Sequence, residues 1–278
     1  MIGGIDAKFI GHGGVLLAGN VERAMSAAGW GNEFDVIVSL GGNCSVAHNL
    51  RVRNLRPFSL PFDWLLMDDA RPIEYLPTGF KDGFKDFCLQ ENLVELKGAE
   101  RGEEHPGRLQ YLDAASGWKF IHHFNESDDF NREYKRVYDV LSRRIRRLDA
   151  LFLEGGRYLL ILAPTFKVSK TCLDRLMGVL RDKYGNTSFY YIIMSFDEMS
   201  ADVEVDRNLI YAKVKRPQNV YDFSKTNVEW SFLDRIKLSG KTDRPGPSKH
   251  KLQLFNYKGF KYILRWHIDK KPRKGFVE

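Results

Sequence analysis

Apolar residues in this chain fall into two rhythms. Short, mainly apolar runs bounded by glycine or turn residues read as strands covered on both faces. Val36 to Leu40 is one, and "RYLLILA" (157–163), "SFYYIIMSF" (188–196) and "NLIYAKV" (208–214) are others. The second rhythm advances by three or four. Phe130, Tyr134, Val137, Leu141, Ile145, Leu148 and Phe152 form one stripe, predicting a helix from about Asp129 to Glu154 that Gly155-Gly156 ends. Shorter helices are expected around Val21 to Ala28, Ser45 to Arg53, Arg71 to Leu76, Lys170 to Tyr184 and across 227–238. "LQYL" (109–112) and "WKFIHHF" (118–124), separated by "DAASG", read as a β-hairpin.

The stretches between carry their own signals. "RPFSLPFDWLL" (56–66) has two prolines and reads as an extended, ordered loop, and Glu91 to Arg108 as a polar surface excursion. "GKTDRPGPSKHK" (240–251) is a linker by composition, with one or two strands in the tail beyond it. The strand–helix–strand order around 157–196 is a βαβ-like unit. Together these predict an α/β fold, or α+β with a hairpin subdomain. Three segments follow: a lead-in at 1–34, a main domain at 35–239, and a basic linker with strand extension at 240–278. The lead-in also reads as the remnant of a preceding domain in a larger multidomain protein.

Composition narrows the function classes. The 278 residues are 43% hydrophobic and 28% charged, with no apolar run near the roughly 20 residues of a membrane-spanning helix. No signal-peptide plan opens the chain, so a cytoplasmic location is expected. Cys44, Cys88 and Cys172 are too widely spaced for a disulfide framework or a paired-cysteine zinc motif, and no histidine–carboxylate spacing suggests a metal. The net charge of +7 is concentrated in "RRIRR" (143–147) and the tail. Such a surface suits a phosphorylated co-substrate, an anionic glycan or peripheral membrane contact. Aromatics are not interleaved with the basic run, so nucleic acid is not expected.

In "DVIVSLGGNCSVAHNL" (35–50) a strand ends in two glycines and a cysteine opens the next helix. Unpaired N–H groups at a helix N-terminus carry partial positive charge. They are expected to lower the Cys44 thiol pKa from about 8.5 into the range of about 3.5–7.5. They would also hold an oxyanion, with Asn43 adding a side-chain donor. The plain alternative is a small residue buried in a turn. A thiol nucleophile needs a base, and seven histidines are available: His12, His48, His105, His122, His123, His250 and His267. His122 and His123 stand together on a predicted strand, where alternation sends them to opposite faces and leaves one for a site. Arg144 falls inside the apolar stripe of the long helix, and Arg143, Arg146 and Arg147 point away. A buried-side arginine needs a partner, either a carboxylate of the fold or an anionic ligand. Asn125, Asp128, Asp129, Asp197 and Asp63 are candidates to orient the histidine.

"VSLGGNCSVAHNLRVRNLRPFSLPFDWLL", followed by "FIHHFN" and "RRIRRL", resembles the putative papain-like cysteine peptidase family of bacteria over roughly residues 35 to 240. The resemblance extends to a papain-like capsule-biosynthesis acetyltransferase that binds coenzyme A. It implies Cys44 as nucleophile, His122 or His123 as base, and Asp63 and Trp64 of "PFDW" as pocket or support residues. Papain's glutamine before the cysteine has no counterpart here, and Asn43 would fill in. The expected activity is Cys–His acyl transfer with no tightly bound cofactor and acetyl-coenzyme A as a co-substrate. A small-molecule acyl donor and a glycan acceptor in surface polysaccharide biosynthesis, or a peptide to be cleaved, are the implied partners. A non-catalytic binding module on the same fold is the third class.

Overall fold

A computed structural model describes residues 7–10, 14–98, 107–126, 129–164, 166–196, 202–214, 230–239, 253–257 and 260–264. The first elements are β1 (Ala7–Ile10), α1 (Gly14–Ala27), β2 (Glu33–Phe34), β3 (Val36–Ser39), α2 (Cys44–Val52), β4 (Leu65–Leu66) and α3 (Arg71–Asp82). Next come β5 (Leu93–Glu95), β6 (Arg108–Asp113), β7 (Lys119–Asn125), α4 (Phe130–Glu154), β8 (Gly156–Leu162), α5 (Lys170–Lys183) and β9 (Thr187–Phe196). The last are β10 (Asp202–Asp206), β11 (Leu209–Val214), β12 (Lys237–Leu238), β13 (Gln253–Tyr257) and β14 (Phe260–Leu264). Two compact units result, Met1–Ser239 and Gly240–Glu278. In the second, β13 and β14 form an antiparallel hairpin. The predicted linker at 240–251 lies outside the described residues.

The first unit is built on a six-stranded sheet in the order β1-β10-β11-β9-β8-β3. Strands β3, β8, β9 and β11 are parallel, and β10 and β1 continue the sheet antiparallel. The apolar runs form its four parallel strands, covered on both faces, with β3 at one edge of the sheet. Val36, Val38, Leu160 and Leu162 pack under α3, α4 and α5 with Leu76, Leu141 and Leu176. Ile37, Leu159 and Ile161 pack on the other side with Val46 and Leu50 of α2 and with Trp230 and Phe232. This mixed architecture is the predicted class, including the β8-α5-β9 crossover. A second, four-stranded antiparallel sheet has the order β4-β7-β6-β5 and contains the predicted hairpin as β6 and β7.

Three expectations about local structure are corrected. The helix expected across 227–238 is one 3-10 turn, Ser231–Arg235, followed by β12 paired parallel with β2. Trp230, Phe232, Leu233 and Ile236 are buried at a spacing that a helix would also give, so the apolar pattern alone predicts one. The helix starting at Arg71 does not stop before Pro77 but runs to Asp82, closing on left-handed Gly83 (φ 72°). Packing of Ile73, Leu76 and Phe80 in the core outweighs the hydrogen bond that Pro77 cannot donate. Part of the expected surface excursion, Leu93–Glu95, is an edge strand on β6, which explains its exposed Val94 and Glu95.

Candidate active site

The turn from β3 into α2 depends on two glycines. Gly41 and Gly42 have φ of 85° and 106°, conformations that side chains rarely adopt. A Cβ on Gly41 would lie 2.6 Å from the Trp118 ring, and one on Gly42 only 2.3 Å from the Ala163 carbonyl oxygen. Gly41 O accepts from Ala163 N–H and Gly42 O from Met67 N–H, so the turn is clamped between β8 and β4. Asn43 then caps α2: its Oδ1 accepts from Ser45 N–H at 2.9 Å. Its Nδ2 donates to Ala163 O at 2.9 Å. The amide expected to face an oxyanion is therefore turned toward the end of β8. Cys44 is the first residue of α2.

The histidines reach the site through an irregularity in the hairpin. Leu109 pairs with Phe124, and the next pair is Tyr111 with Phe120. Three residues of β7, Ile121, His122 and His123, thus stand opposite Gln110 alone. Such a bulge suspends the strict alternation of side chains. Hence the expectation of opposite faces fails, and both histidines line one cavity. His122 is the one that reaches the thiol, with Nε2 3.3 Å from Cys44 Sγ. His123 rests edge-on against Phe120, and its buried Nδ1 has no hydrogen-bond partner among the described residues. Burial holds its pKa down to about 3, with Arg144 the largest of the positive neighbours acting the same way.

Cys44 is 4% exposed, packed with Leu66, Ile121 and Trp64. Burial pushes its thiol up to about 12, against the lowering expected from the helix terminus. Removal from water disfavours the thiolate, and at this depth that cost dominates. Below pH 9 the residue is therefore a thiol, and a base must take its proton at the moment of attack. Alkylation by iodoacetamide should be slower at Cys44 than at a free thiol at pH 7. It should rise close to tenfold per pH unit between pH 7 and 10 as thiolate forms. Peptide mapping by mass spectrometry separates this site from Cys88 and Cys172; a rate independent of pH in that window would refute the protonated resting state.

"PFDW" divides into three tasks. Phe62 is fully buried and stacks on Trp118 with ring centres 5.6 Å apart. Asp63, also buried, accepts from Leu60 N–H at 2.9 Å and pairs with Arg56 at 2.7 Å. Burial raises its carboxyl pKa even though Arg56, Leu60 N–H and Arg144 pull it down. Trp64 sits at φ 66°, a left-handed conformation that only surrounding contacts can hold. Its ring meets His122 edge-on at 5.9 Å, and the Arg51 and Arg56 guanidiniums lie 5.3 and 5.7 Å from its centre. Asp63 thus fixes the loop and Trp64 orients the imidazole.

The cavity, about 250 Å³, is lined by Trp64, Arg108, His122, His123, Arg136, Val137, Val140 and Arg144. Arg136 is paired with Glu133, which also accepts from Asn125. Burial lowers the Arg144 pKa while the Asp63 charge raises it. The expectation that Arg147 points away is corrected: it donates to Ser59 O at 3.1 Å and lies over Phe58. Among the other candidates, Asp129 caps α4 through Arg132 N–H, and Asp128 and Asp197 lie outside the described residues. His48 is half-buried on α2, its pKa lowered by burial and then by Arg51 and Arg53. His12, His105, His250 and His267 lie outside the described residues. Arg108 and Arg136 were not singled out in the sequence; their register against β7 and α4 alone brings them to the cavity. No group of three metal-ligating side chains occurs among the described residues, and none of their helices is long and apolar enough to cross a membrane.

The model of a family described as putative papain-like cysteine peptidase matches residues 35–197, more than half of the chain. That span contains Cys44, the hairpin and α4. An uncharacterized protein of Acanthamoeba polyphaga mimivirus is 25% identical over 223 residues, 74% of this chain and 91% of the viral protein. No solved structure matches the chain.

Proposed function

This chain belongs to the putative papain-like cysteine peptidase family, and we propose that it is an acyl-transfer enzyme with Cys44 as nucleophile and His122 as proton shuttle. Family membership supports a thiol-dependent enzyme. The observation that carries the reading is the 3.3 Å approach of His122 Nε2 to Cys44 Sγ, at the start of a helix. With the thiol protonated at rest, Sγ attacks a carbonyl carbon as its proton passes to Nε2. The oxyanion forms at the positive end of α2, beside first-turn N–H groups other than that of Ser45, which Asn43 Oδ1 holds. Collapse restores the carbonyl and breaks the bond to the leaving group, which takes the proton from His122 and leaves the acyl group on Sγ. An acceptor hydroxyl then gives its proton to Nε2, attacks the acyl carbon, and restores the thiol.

The first reading of the substrates is transfer of an acetyl or related acyl group from a coenzyme A thioester to a sugar hydroxyl, in surface polysaccharide biosynthesis. Guanidiniums on the cavity wall support an anionic donor. The second reading is hydrolysis of a peptide or other amide, favoured by the description of the family. Incubation with acetyl-coenzyme A, and separately with a peptide library, followed by mass spectrometry, separates them. A 42 Da adduct on Cys44, lost in Cys44→Ala, is expected for acetyl transfer, that mass being the order of one acetyl group for hydrogen. Peptide cleavage that depends on Cys44, with no adduct from the thioester, would replace the first reading by the second.

A further inference from the structure

The wall opposite the two histidines is one face of α4. Arg136, Val137, Val140 and Arg144 recur at helical spacing and all line the cavity. At 1.5 Å per residue, the two arginines stand about 12 Å apart along the axis, with the valines between them. Arg108 of β6 joins the Arg136 end. The two ends differ in chemistry. Arg136 is held by Glu133, through Nε at 2.8 Å and Nη2 at 2.5 Å, and also donates to His123 O. Arg144 has no hydrogen bond or ion pair among the described residues.

The carboxylate that acts on Arg144 forms no ion pair with its guanidinium. Asp63 attracts it electrostatically, but the close pair is with Arg56 at 2.7 Å, and buried Asp63 Oδ1 has no hydrogen-bond partner among the described residues. His123, which lines the same cavity, holds a buried Nδ1 that likewise has no partner among the described residues. A guanidinium half out of water, turned to a cavity and lacking a carboxylate, is unfavourable until an anion fills its fork of donors. From the structure we infer that Arg144 is a substrate-binding residue. It grips an oxyanion of the substrate, a carboxylate or a phosphate, whose aliphatic portion lies along Val137 and Val140 toward His122. This rests on the proposed acyl-transfer reading and defines its substrate class as an acyl compound bearing a negative charge near the reacting carbonyl.

The test uses the full chain and two probes, inorganic phosphate and succinate, each titrated against sodium chloride of equal ionic strength. A ligand that binds only the folded state raises the melting temperature saturably. At least one probe should do so, and the tighter one distinguishes phosphate from carboxylate. Arg144→Gln should raise the half-saturating concentration by about tenfold or more, and Arg144→Lys by less, because lysine keeps the charge without the fork. Arg143→Gln removes the same charge from an exposed neighbour and should leave half-saturation unchanged. Ligand-free melting curves show whether each variant is folded. No saturable rise with either probe, or equal half-saturation in folded wild type and Arg144→Gln, would overturn the inference. Cys44 acylation is read separately by mass. Acylation without anion binding overturns the subsite alone, whereas anion binding without acylation or peptide cleavage overturns the acyl-transfer reading alone.

Discussion

Replacing Gly42 with alanine should leave almost no folded protein. The new Cβ would meet the Ala163 carbonyl oxygen at 2.3 Å and the proline nitrogen after it at 2.7 Å, both of them backbone. Neither can swing away as a side chain would, and φ of 106° is itself costly for alanine. Relief requires parting the turn from the end of β8, which breaks the Gly41–Ala163 hydrogen bond and the bond that Asn43 Nδ2 donates to Ala163 O. The expected loss exceeds about 4 kcal/mol, in the range reserved for broken cores and forbidden backbone. Gly29→Ala is the matching control, since φ is 69° there but nothing lies within 4 Å of the added carbon. It should cost only about 1 kcal/mol. Urea midpoints of the two variants, or soluble yield if Gly42→Ala does not fold, provide the comparison. Equal losses would mean that close approach to β8 is not what the glycine serves.

His122→Ala should lower the rate of Cys44 acylation by about 10²- to 10⁴-fold at pH 7, the usual span for loss of a positioned base. The size of the effect follows from the thiol's pKa near 12. A preformed thiolate would lose mainly orientation on removal of the imidazole, whereas a thiol loses the acceptor of its proton. Solvent hydroxide can supply that deficit. The variant's rate should therefore climb about tenfold per unit through pH 10, and the gap to the wild type should close as it does. Time courses of adduct formation across that range give both profiles. A gap that stays constant with pH would assign His122 to packing or orientation. His123→Ala, which leaves the Nε2 contact of its neighbour intact, should change acylation much less.

Much of this arrangement was legible in the chain because period and punctuation carry it. Buried parallel strands betray themselves as short apolar runs, and the seven-membered stripe marks α4. The double glycine before Cys44 signals a turn that only glycine can make. What escaped has physical reasons too. β10 alternates buried Val203 and Val205 with carboxylates, a five-residue pattern too short and too acidic to stand out. The 3-10 turn at Ser231–Arg235 shares its apolar spacing with a helix, so the pattern of residues does not distinguish them. The double glycine puts Cys44 at the helix start, but its protonation depends on Leu66 and Ile121 closing over it, contacts between distant parts of the sequence. The choice of His122 over His123 depends on a bulge that no period announces.

That bulge also separates the chemistry from the scaffold. Its surplus is two residues, one full repeat of a strand, so the ladder on either side keeps the same facing with or without it. A relative whose hairpin is two residues shorter here would retain every inward side chain of β6 and β7 and lose only the histidine pair. Evolution can therefore silence such an enzyme, or graft the pair onto an inert hairpin, by a single in-frame change of two codons. Hairpin length between the aromatic positions of Phe120 and Phe124 therefore governs whether the histidine pair is present, without any change to the rest of the sheet.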